Sequence, residues 1–207
     1  EPQVLFLDEP TANLDPATRQ GFFRFLHALR QEQPELTVII VEHVLDDLID
    51  LVDHVLVLNQ DGTLLAQGAP REVLDRRTQE LDALGIWLPQ VTALAHKLRL
   101  AGLSVPTLPL NVEEAAEAFG GMLLHGAPPA PPEASALAHR ADSLSAAAAT
   151  AAFAVHGLDA RYERGPVVLH SVDLQVQPAA FYALVGPNGA GKTTLAAHLV
   201  GIRRTTP

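Results

Sequence analysis

The chain has 207 residues, enough for one or two domains, and its net charge of -10 at pH 7 combines 24 acidic with 14 basic residues. Residues 1–150 carry 21 of the acids, which argues against nucleic acid as the main partner. The absence of cysteine excludes a disulfide framework and a thiolate metal site, and without a long apolar run or a basic leader we expect neither a membrane span nor a secretion signal.

The first predicted strand, Val4 to Leu7, is a short apolar run typical of a strand buried on both faces, and it ends in Asp8 and Glu9. In a functional interpretation Asp8 holds a magnesium ion and Glu9 polarises water for attack on a phosphoryl group. In a structural interpretation Asp8 caps the next turn and Glu9 is solvated. These two residues alone leave both interpretations open.

A helix is predicted to begin at Pro16, because proline suits the first helical turn, and its apolar stripe is expected to be core: Phe22, Phe23, Leu26 and Leu29. The next strand, Thr37 to Val41, is β-branched at all five positions and is followed by Glu42 and His43. Taken alone, a histidine in this place is more often a structural hydrogen-bonding residue than a functional one.

Several short elements are predicted after His43. The run Val44 to Val52 indicates a helix, and His54 to Leu58 a strand that a turn at Asp61 and Gly62 joins to Thr63 to Gln67. Pro70 then opens a short helix.

An appendage is predicted from Leu84, with a helical run at Val91 to Leu100 followed by the segment Leu108 to Phe119. Residues 126–152 are mostly alanine, proline and serine, too poor in large apolar groups to offset chain entropy, and they predict a linker. Strand patterns restart at Phe153 and include Phe181 to Val185, and Gly201 ends a last helix.

A phosphate-binding loop lies between that strand and that helix. Its residues fill every position of the pattern glycine, four residues, glycine, lysine and a hydroxyl residue: Gly186, Pro187, Asn188, Gly189, Ala190, Gly191, Lys192, Thr193 and Thr194. The glycines let backbone N–H groups point at a polyphosphate, Lys192 supplies a cation for the outer phosphates, and Thr193 supplies a hydroxyl ligand for Mg²⁺.

The stretch Leu5 to Asp15 resembles the Walker B strand and D-loop of the ATP-binding subunits of ABC transporters. The resemblance implies magnesium binding for Asp8, a catalytic-base role for Glu9 and a dimer contact for Asp15. It also implies a terminal-phosphate sensor at His43 and an adenine-stacking aromatic at Tyr162, although a packed strand tyrosine is the alternative. The sequence departs from the family at Ala179 and Ala180, where glycine is common, so the geometry of that turn is open.

The order of the motifs is the reverse of that in a single ABC ATPase domain, since the phosphate loop follows the Walker B strand. We expect a segment of a tandem protein similar to the ATPases of energy-coupling factor transporters. Its predicted parts are the C-terminal half of a first ATPase domain (1–82), an appendage (83–120), a linker (121–152) and the N-terminal part of a second ATPase domain (153–207).

The fold class implied is an α/β P-loop NTPase core, a mostly parallel sheet with flanking helices. In related folds the phosphate-loop strand lies between the strand before the switch histidine and the strand after it. We therefore hypothesise that Phe181 to Val185 inserts between Thr37 to Val41 and His54 to Leu58, which would cover two strand edges liable to pair with other chains.

The function implied is ATP binding and hydrolysis that powers import of a vitamin or transition-metal ion, with Mg²⁺ as cofactor. The implied partners are a second ATPase domain and integral membrane subunits, at the cytoplasmic face of the membrane. Two alternatives stay open: a soluble ABC ATPase of DNA repair or translation, and an inactive fragment that binds only nucleotide or a partner.

Overall fold

The computed structural model describes residues 3–125, 151–161 and 165–201. These form, in chain order, β1 (Val4–Asp8), α1 (Pro16–Glu32), β2 (Thr37–Val41), β3 (His54–Leu58), β4 (Leu64–Gly68), α2 (Pro70–Arg76), α3 (Thr78–Ala83), α4 (Gln90–Leu100), α5 (Val112–His125), β5 (Phe153–Arg161), β6 (Val167–Val176), β7 (Phe181–Val185) and α6 (Lys192–Leu199). None of the described helices is both long and apolar enough to cross a membrane.

A five-stranded sheet lies at the centre of the molecule, in the order β1-β2-β7-β3-β4. The first four strands of that order are parallel, and β4 pairs antiparallel with β3. Leu184 of β7 is level with Val41 on one side and Leu56 on the other. The insertion hypothesis is therefore confirmed, and so is the predicted α/β fold with a mostly parallel sheet.

Side chains from the first part of the chain hold the amino end of β7. Phe181 N donates to the Asp53 carboxylate (3.0 Å), and Ala179 N donates to the Thr37 hydroxyl (2.9 Å). Arg30 pairs with Asp53 (2.6 Å) and lies 5.0 Å from the centre of the Phe181 ring. All five β7 residues are buried, as expected for a central parallel strand.

Two hydrophobic layers cover the sheet, and β7 contributes to both. One layer contains residues of α1, α2 and α3 together with Ala183 and Val185. The other contains residues of the β5–β6 hairpin and α6 together with Tyr182 and Leu184. Because alternate side chains of a strand point to opposite faces, insertion of β7 completes both cores at once.

The β5–β6 hairpin is seated against the turn between β3 and β4. Gly62 in that turn has φ 80°, and a Cβ at this position would lie 1.9 Å from the carbonyl oxygen of Val168. His170 N also donates to the carbonyl of Gly62 (3.2 Å). The contact is close enough that only a glycine fits the turn.

The appendage comprises α4 and α5, which share a small core around Ala95 and Leu108. Arg71 of α2 joins this appendage to the sheet domain by donating to the carbonyl of Leu108 (2.8 Å) and to Glu114 (2.5 Å). The helix α5 runs through His125, beyond residue 121 where the sequence predicts the linker to begin. Residues 126–150 of that predicted linker lie outside the described part of the chain.

Two local predictions were wrong. The segment 44–52 forms turns rather than a helix, with Leu48 N and Ile49 N both donating to the carbonyl of Leu45, and its carboxylate Asp46 accepts a bond from Gln90 N of α4. The strand β1 is only half-buried from Val4 to Leu7, because among the described strands it pairs with β2 alone and forms an edge of the sheet.

Candidate functional site

The carboxyl ends of β1, β2 and β7 meet at one edge of the sheet, because these three neighbouring strands are parallel. β1 leads into Glu9, β2 leads into His43, and β7 leads into the glycine-rich loop at Gly186. Ligands of open α/β sheets bind at this end of the strands. The strand order thus brings the predicted acidic pair, histidine and phosphate loop to a common place.

Glu9 and His43 are in direct contact, with 2.7 Å between the Glu9 Oε1 and His43 Nε2 atoms. Their side chains are 38% and 37% exposed, so both can be reached by solvent and by a ligand. The backbone of Glu9 has φ 45°, an uncommon conformation for a residue with a side chain and one that recurs at functional sites.

The phosphate loop has the backbone that its glycines predict. Gly189 and Gly191 have φ 83° and 91°, and a Cβ on Gly186 would lie 2.7 Å from the carbonyl oxygen of Leu58. The helix α6 begins at Lys192, directly after the loop. Thr193 is exposed at the first turn of this helix, whereas Thr194 is buried.

Lys192 is folded back onto its own loop. Its ammonium group donates to the carbonyl oxygens of Gly186 (2.9 Å) and Pro187 (3.1 Å), and the residue is 6% exposed. Burial lowers the pKa of Lys192, and the nearby carboxylates of Glu9 and Asp8 partly offset that effect. The two carboxylates favour the charged form of Lys192, and a cation at the glycine-rich loop is suited to neutralising an anionic ligand.

A cavity of about 330 Å³ opens beside the loop. Its lining combines loop residues, the end of β2 and the start of the appendage: Glu42, His43, Gly85, Ile86, Trp87, Val185, Gly186, Pro187 and Asn188. Trp87 is the single tryptophan of the chain and is 68% exposed. Its indole therefore lies where it would sense a ligand at the loop.

Comparison with known proteins agrees with this geometry. Residues 169–207 match the family model for ABC transporters. A Methanosarcina mazei protein described as an ABC transporter ATP-binding protein is 33% identical over 202 residues, 97% of this chain and 33% of the relative. An energy-coupling factor transporter ATP-binding protein, EcfA2 of Symbiobacterium thermophilum, is 40% identical over 123 residues, 59% of this chain and 41% of the relative.

The chain is a homologue of ABC transporter ATP-binding proteins. These matches confirm the resemblance to ABC transporter ATP-binding subunits that the stretch Leu5 to Asp15 indicated. They also confirm the similarity to ATP-binding proteins of energy-coupling factor transporters. The chain spans about a third of the length of the first relatives that it matches.

The residues of this ABC homologue that the sequence assigns to Mg²⁺ have the right chemistry. Asp8 and the Thr193 hydroxyl are exposed oxygen donors, and Asp8 is close enough to Lys192 to influence its pKa. Mg²⁺ is usually held by one or two carboxylates together with substrate phosphates. The described residues contain no cluster of three or more histidine, aspartate or glutamate side chains that could hold a metal without such phosphates.

A further predicted residue, Asp15, makes its described contacts at the start of α1. Asp15 caps α1, where its carboxylate accepts bonds from the backbone of Ala17 (3.0 Å) and Thr18 (3.2 Å). The Thr18 bonds are the main reason that the pKa of Asp15 is lowered. Asp15 stays exposed, so the predicted dimer contact is untested. Tyr162, the predicted adenine-stacking residue, lies outside the described residues.

Two residues at this candidate site, Glu42 and Trp87, have no role among the sequence-based predictions. A carboxylate directly after the apolar run Val38 to Val41 was the available signal for Glu42, since a charge beside buried apolar residues needs a partner. Trp87 gave no comparable signal, because its approach to the loop depends on how the appendage packs.

Proposed function

We propose that this chain binds MgATP at the loop 186–194 and takes part in its hydrolysis. The observation that carries the proposal is the meeting of the Lys192 loop with the Glu9–His43 pair at the carboxyl ends of adjacent parallel strands. An anion-binding loop beside a carboxylate and an imidazole is the set of groups that phosphoryl transfer to water requires.

In the proposed reaction the chain's residues position the reactants and handle one proton. Lys192 exchanges its bonds to the carbonyls of Gly186 and Pro187 for the outer phosphates, and the loop's N–H groups bind the remaining phosphate oxygens. Water attacks the γ-phosphorus in line, its proton passes toward Glu9, and ADP departs. His43 holds the Glu9 carboxylate in place. A Mg²⁺ ion held by Asp8 and Thr193 would neutralise phosphate charge.

The longer context of this activity is proposed from the relatives. A single alignment that covers 97% of this chain but 33% of the Methanosarcina mazei protein supports a longer tandem protein with the same order of motifs. In it, the parts 1–82 and 153–207 would belong to successive ATPase domains, with the appendage and linker between them. A second ATPase domain and integral membrane subunits would be its partners, at the cytoplasmic face of the membrane, and a vitamin or transition-metal ion its cargo.

Nucleotide binding is tested first on the 207-residue chain. Excitation of Trp87 during titration with ATP and Mg²⁺ should give a saturable change in fluorescence, because the indole lines the cavity beside the loop. Lys192→Ala should abolish the change or shift it to at least tenfold higher ATP. If the wild-type chain gives no saturable fluorescence change and shows no ATP binding by calorimetry, the proposal is wrong.

Hydrolysis is tested with Glu9→Gln. We expect turnover to fall by about a hundredfold or more while the ATP affinity changes by less than about threefold, because a general base contributes to the chemical step and not to binding. Glu35→Gln is the matched control, since Glu35 is exposed just before the amino end of β2, at the opposite edge of the sheet. An unchanged rate in Glu9→Gln would exclude Glu9 as the base, and binding without turnover in the wild type would leave a nucleotide-binding role alone.

A further inference from the structure

We propose that Glu42 is a positioning residue that fixes the Glu9–His43 pair through Thr11. The proposal rests on the proposed ATPase function, in which Glu9 and His43 act on the attacking water. Glu42 is 4% exposed and Thr11 is 8% exposed, so both are polar residues that the fold has buried.

The contact between them is a clamp on the turn that follows Glu9. One carboxylate oxygen of Glu42, Oε1, accepts a bond from the Thr11 hydroxyl (2.7 Å) and another from Thr11 N (3.1 Å). A buried carboxylate is stable only when its oxygens are bonded, and bonds to a charged acceptor are stronger than neutral ones. This contact joins parts of the chain that are 31 residues apart.

Three consecutive residues at the carboxyl end of β2, Val41 to His43, bind the segment around Glu9. The carbonyl of Val41 accepts a bond from Glu9 N (3.0 Å), Glu42 binds Thr11, and His43 binds the Glu9 carboxylate (2.7 Å). The first two bonds hold the backbone on either side of Glu9. They therefore supply the restraint that keeps Glu9 at φ 45°, a conformation that persists only where its surroundings impose it.

Loss of the clamp should release this restraint without touching the phosphate loop. Thr11 would no longer hold the turn, Glu9 could relax to a negative φ, and its carboxylate would move away from Nε2 of His43. Displacement of a catalytic group by about 1 Å can cost on the order of a hundredfold in rate. The bonds of Lys192 to its own loop do not involve Glu42, so ATP binding should persist.

The kinetic test uses Glu42→Ala, Glu42→Gln and Thr11→Val in the 207-residue chain, or in the longer protein if turnover requires it. Glu42→Ala should lower kcat by about 10–100-fold with a KM for ATP within about threefold of the wild type. Glu42→Gln keeps an oxygen that can accept from Thr11 and should restore most of kcat. The double variant Glu42→Ala with Thr11→Val should be no slower than Glu42→Ala alone, because both changes remove the same contact between Glu42 and Thr11.

The matched control is Thr92→Val, which removes another buried threonine hydroxyl, bonded to the carbonyl of Pro109 in the appendage. It should lower stability and leave kcat unchanged. If Glu42→Ala behaves like this control, Glu42 is merely structural and the proposal is wrong. A loss of kcat in Glu42→Gln as large as in Glu42→Ala would also overturn it, because the negative charge and not the clamp would then be required.

A spectroscopic readout separates the clamp from the proposed function. The imidazole nitrogen resonances of His43, assigned by comparison with His43→Gln, report its bond to Glu9. They should change in Glu42→Ala, return in Glu42→Gln and stay unchanged in Thr92→Val, and the amide of Thr11 should exchange at least tenfold faster in Glu42→Ala. If the wild type does not bind ATP the proposed function fails, whereas unchanged His43 resonances in Glu42→Ala would refute the clamp whatever the activity.

Discussion

At the residue scale, Glu9 and Ala179 both have a positive φ angle although neither is a glycine, and the two angles have different causes. Glu9 (φ 45°) lies in the candidate site, where bonds on both sides hold the backbone. Ala179 (φ 58°) lies in the turn before β7, at the position where the sequence departs from the glycine common in ABC proteins. The turn therefore keeps a left-handed conformation although residue 179 is alanine, and the Cβ of alanine makes that conformation sterically unfavourable.

Ala179→Gly should accordingly stabilise the protein. The left-handed conformation costs an L-residue about 1–2 kcal/mol, which glycine avoids. Glycine loses more backbone entropy on folding, and this reduces the gain by about 0.5–1 kcal/mol. We expect the free energy of unfolding in urea to rise by about 0.5–1 kcal/mol. Ala180→Gly is the control, since Ala180 is buried without a positive φ and its replacement should destabilise. A decrease in both variants would contradict a left-handed residue at 179.

At the residue scale, the sequence predicts candidate site residues where the pattern is local. The phosphate loop and the pair Asp8 and Glu9 are contiguous motifs, so their types and spacing identify them before any fold is known. The bond between Glu42 and Thr11 depends on the register of β1 against β2, which places the residues after Asp8 beside those after Val41. No short motif records such a register.

At the element scale, the helix predicted at 44–52 was wrong because the backbone there also depends on tertiary contacts and not on a local pattern. The apolar spacing there reflects burial of Leu45, Leu48 and Leu51, and it fits turns that bury the same side chains. Hydrophobic spacing in a nine-residue segment does not distinguish a helix from successive turns, because tertiary contacts decide the backbone bonds. The longer stripe of α1 was predicted correctly.

The seat of the β5–β6 hairpin on the β3–β4 turn gives a second prediction. Gly62→Ala adds a methyl group that meets the carbonyl of Val168 and also strains φ, so we expect a loss of about 2–5 kcal/mol in the free energy of unfolding. Gly102→Ala has a similar φ of 89° but open space around its Cβ, and should cost only about 0.5–1 kcal/mol once the lower backbone entropy of alanine is included. Equal losses would show that the hairpin does not contact this turn in solution.

His54 makes the pairing of β3 with β7 sensitive to pH. Its ring stacks on Tyr182 with 4.9 Å between centroids, and burial lowers the pKa of His54, although Asp53 opposes this. A lowered pKa means that the unfolded chain binds the proton more readily, so this contribution to stability is present above pH 6.5 and is lost as pH falls toward the folded pKa.

The measurement is urea unfolding from pH 7.5 to pH 5 in the wild type and in His54→Phe. The phenylalanine keeps a ring against Tyr182 without a titrating group. We expect the wild type to lose more stability on acidification than His54→Phe does. Parallel curves would mean that the pKa of His54 is the same in the folded and unfolded states.

At the scale of the whole molecule, the two ends of the chain depend on each other. The resemblance of the sequence to related folds predicted that β7 lies between β2 and β3, where it covers two strand edges that would otherwise be free. It did not predict the side-chain bonds that fix the insertion, such as that between Phe181 N and Asp53, since these follow from the register of β7 against β3.

The position of β7 predicts its hydrogen exchange. Backbone amides of Tyr182, Ala183 and Leu184 lie between two parallel strands, so they should exchange only on global unfolding, as slowly as those of β2. Amides of the edge strand β1 are the internal control and should exchange faster. Fast exchange in β7 alone would show that the strand leaves the sheet in solution.

Light scattering then decides whether the inserted strand comes from the same chain. A mass near 22.1 kDa, together with protected β7 amides, means that each chain completes its own sheet and unites Lys192 with Glu9 and His43. Twice that mass with the same protection is the result expected if two chains exchange β7, in which case each site would combine residues of two copies. We expect the monomer at micromolar concentration, because the described geometry joins both parts in one chain and insertion within a chain does not depend on concentration. A dimer that persists on dilution would contradict the monomer that we expect.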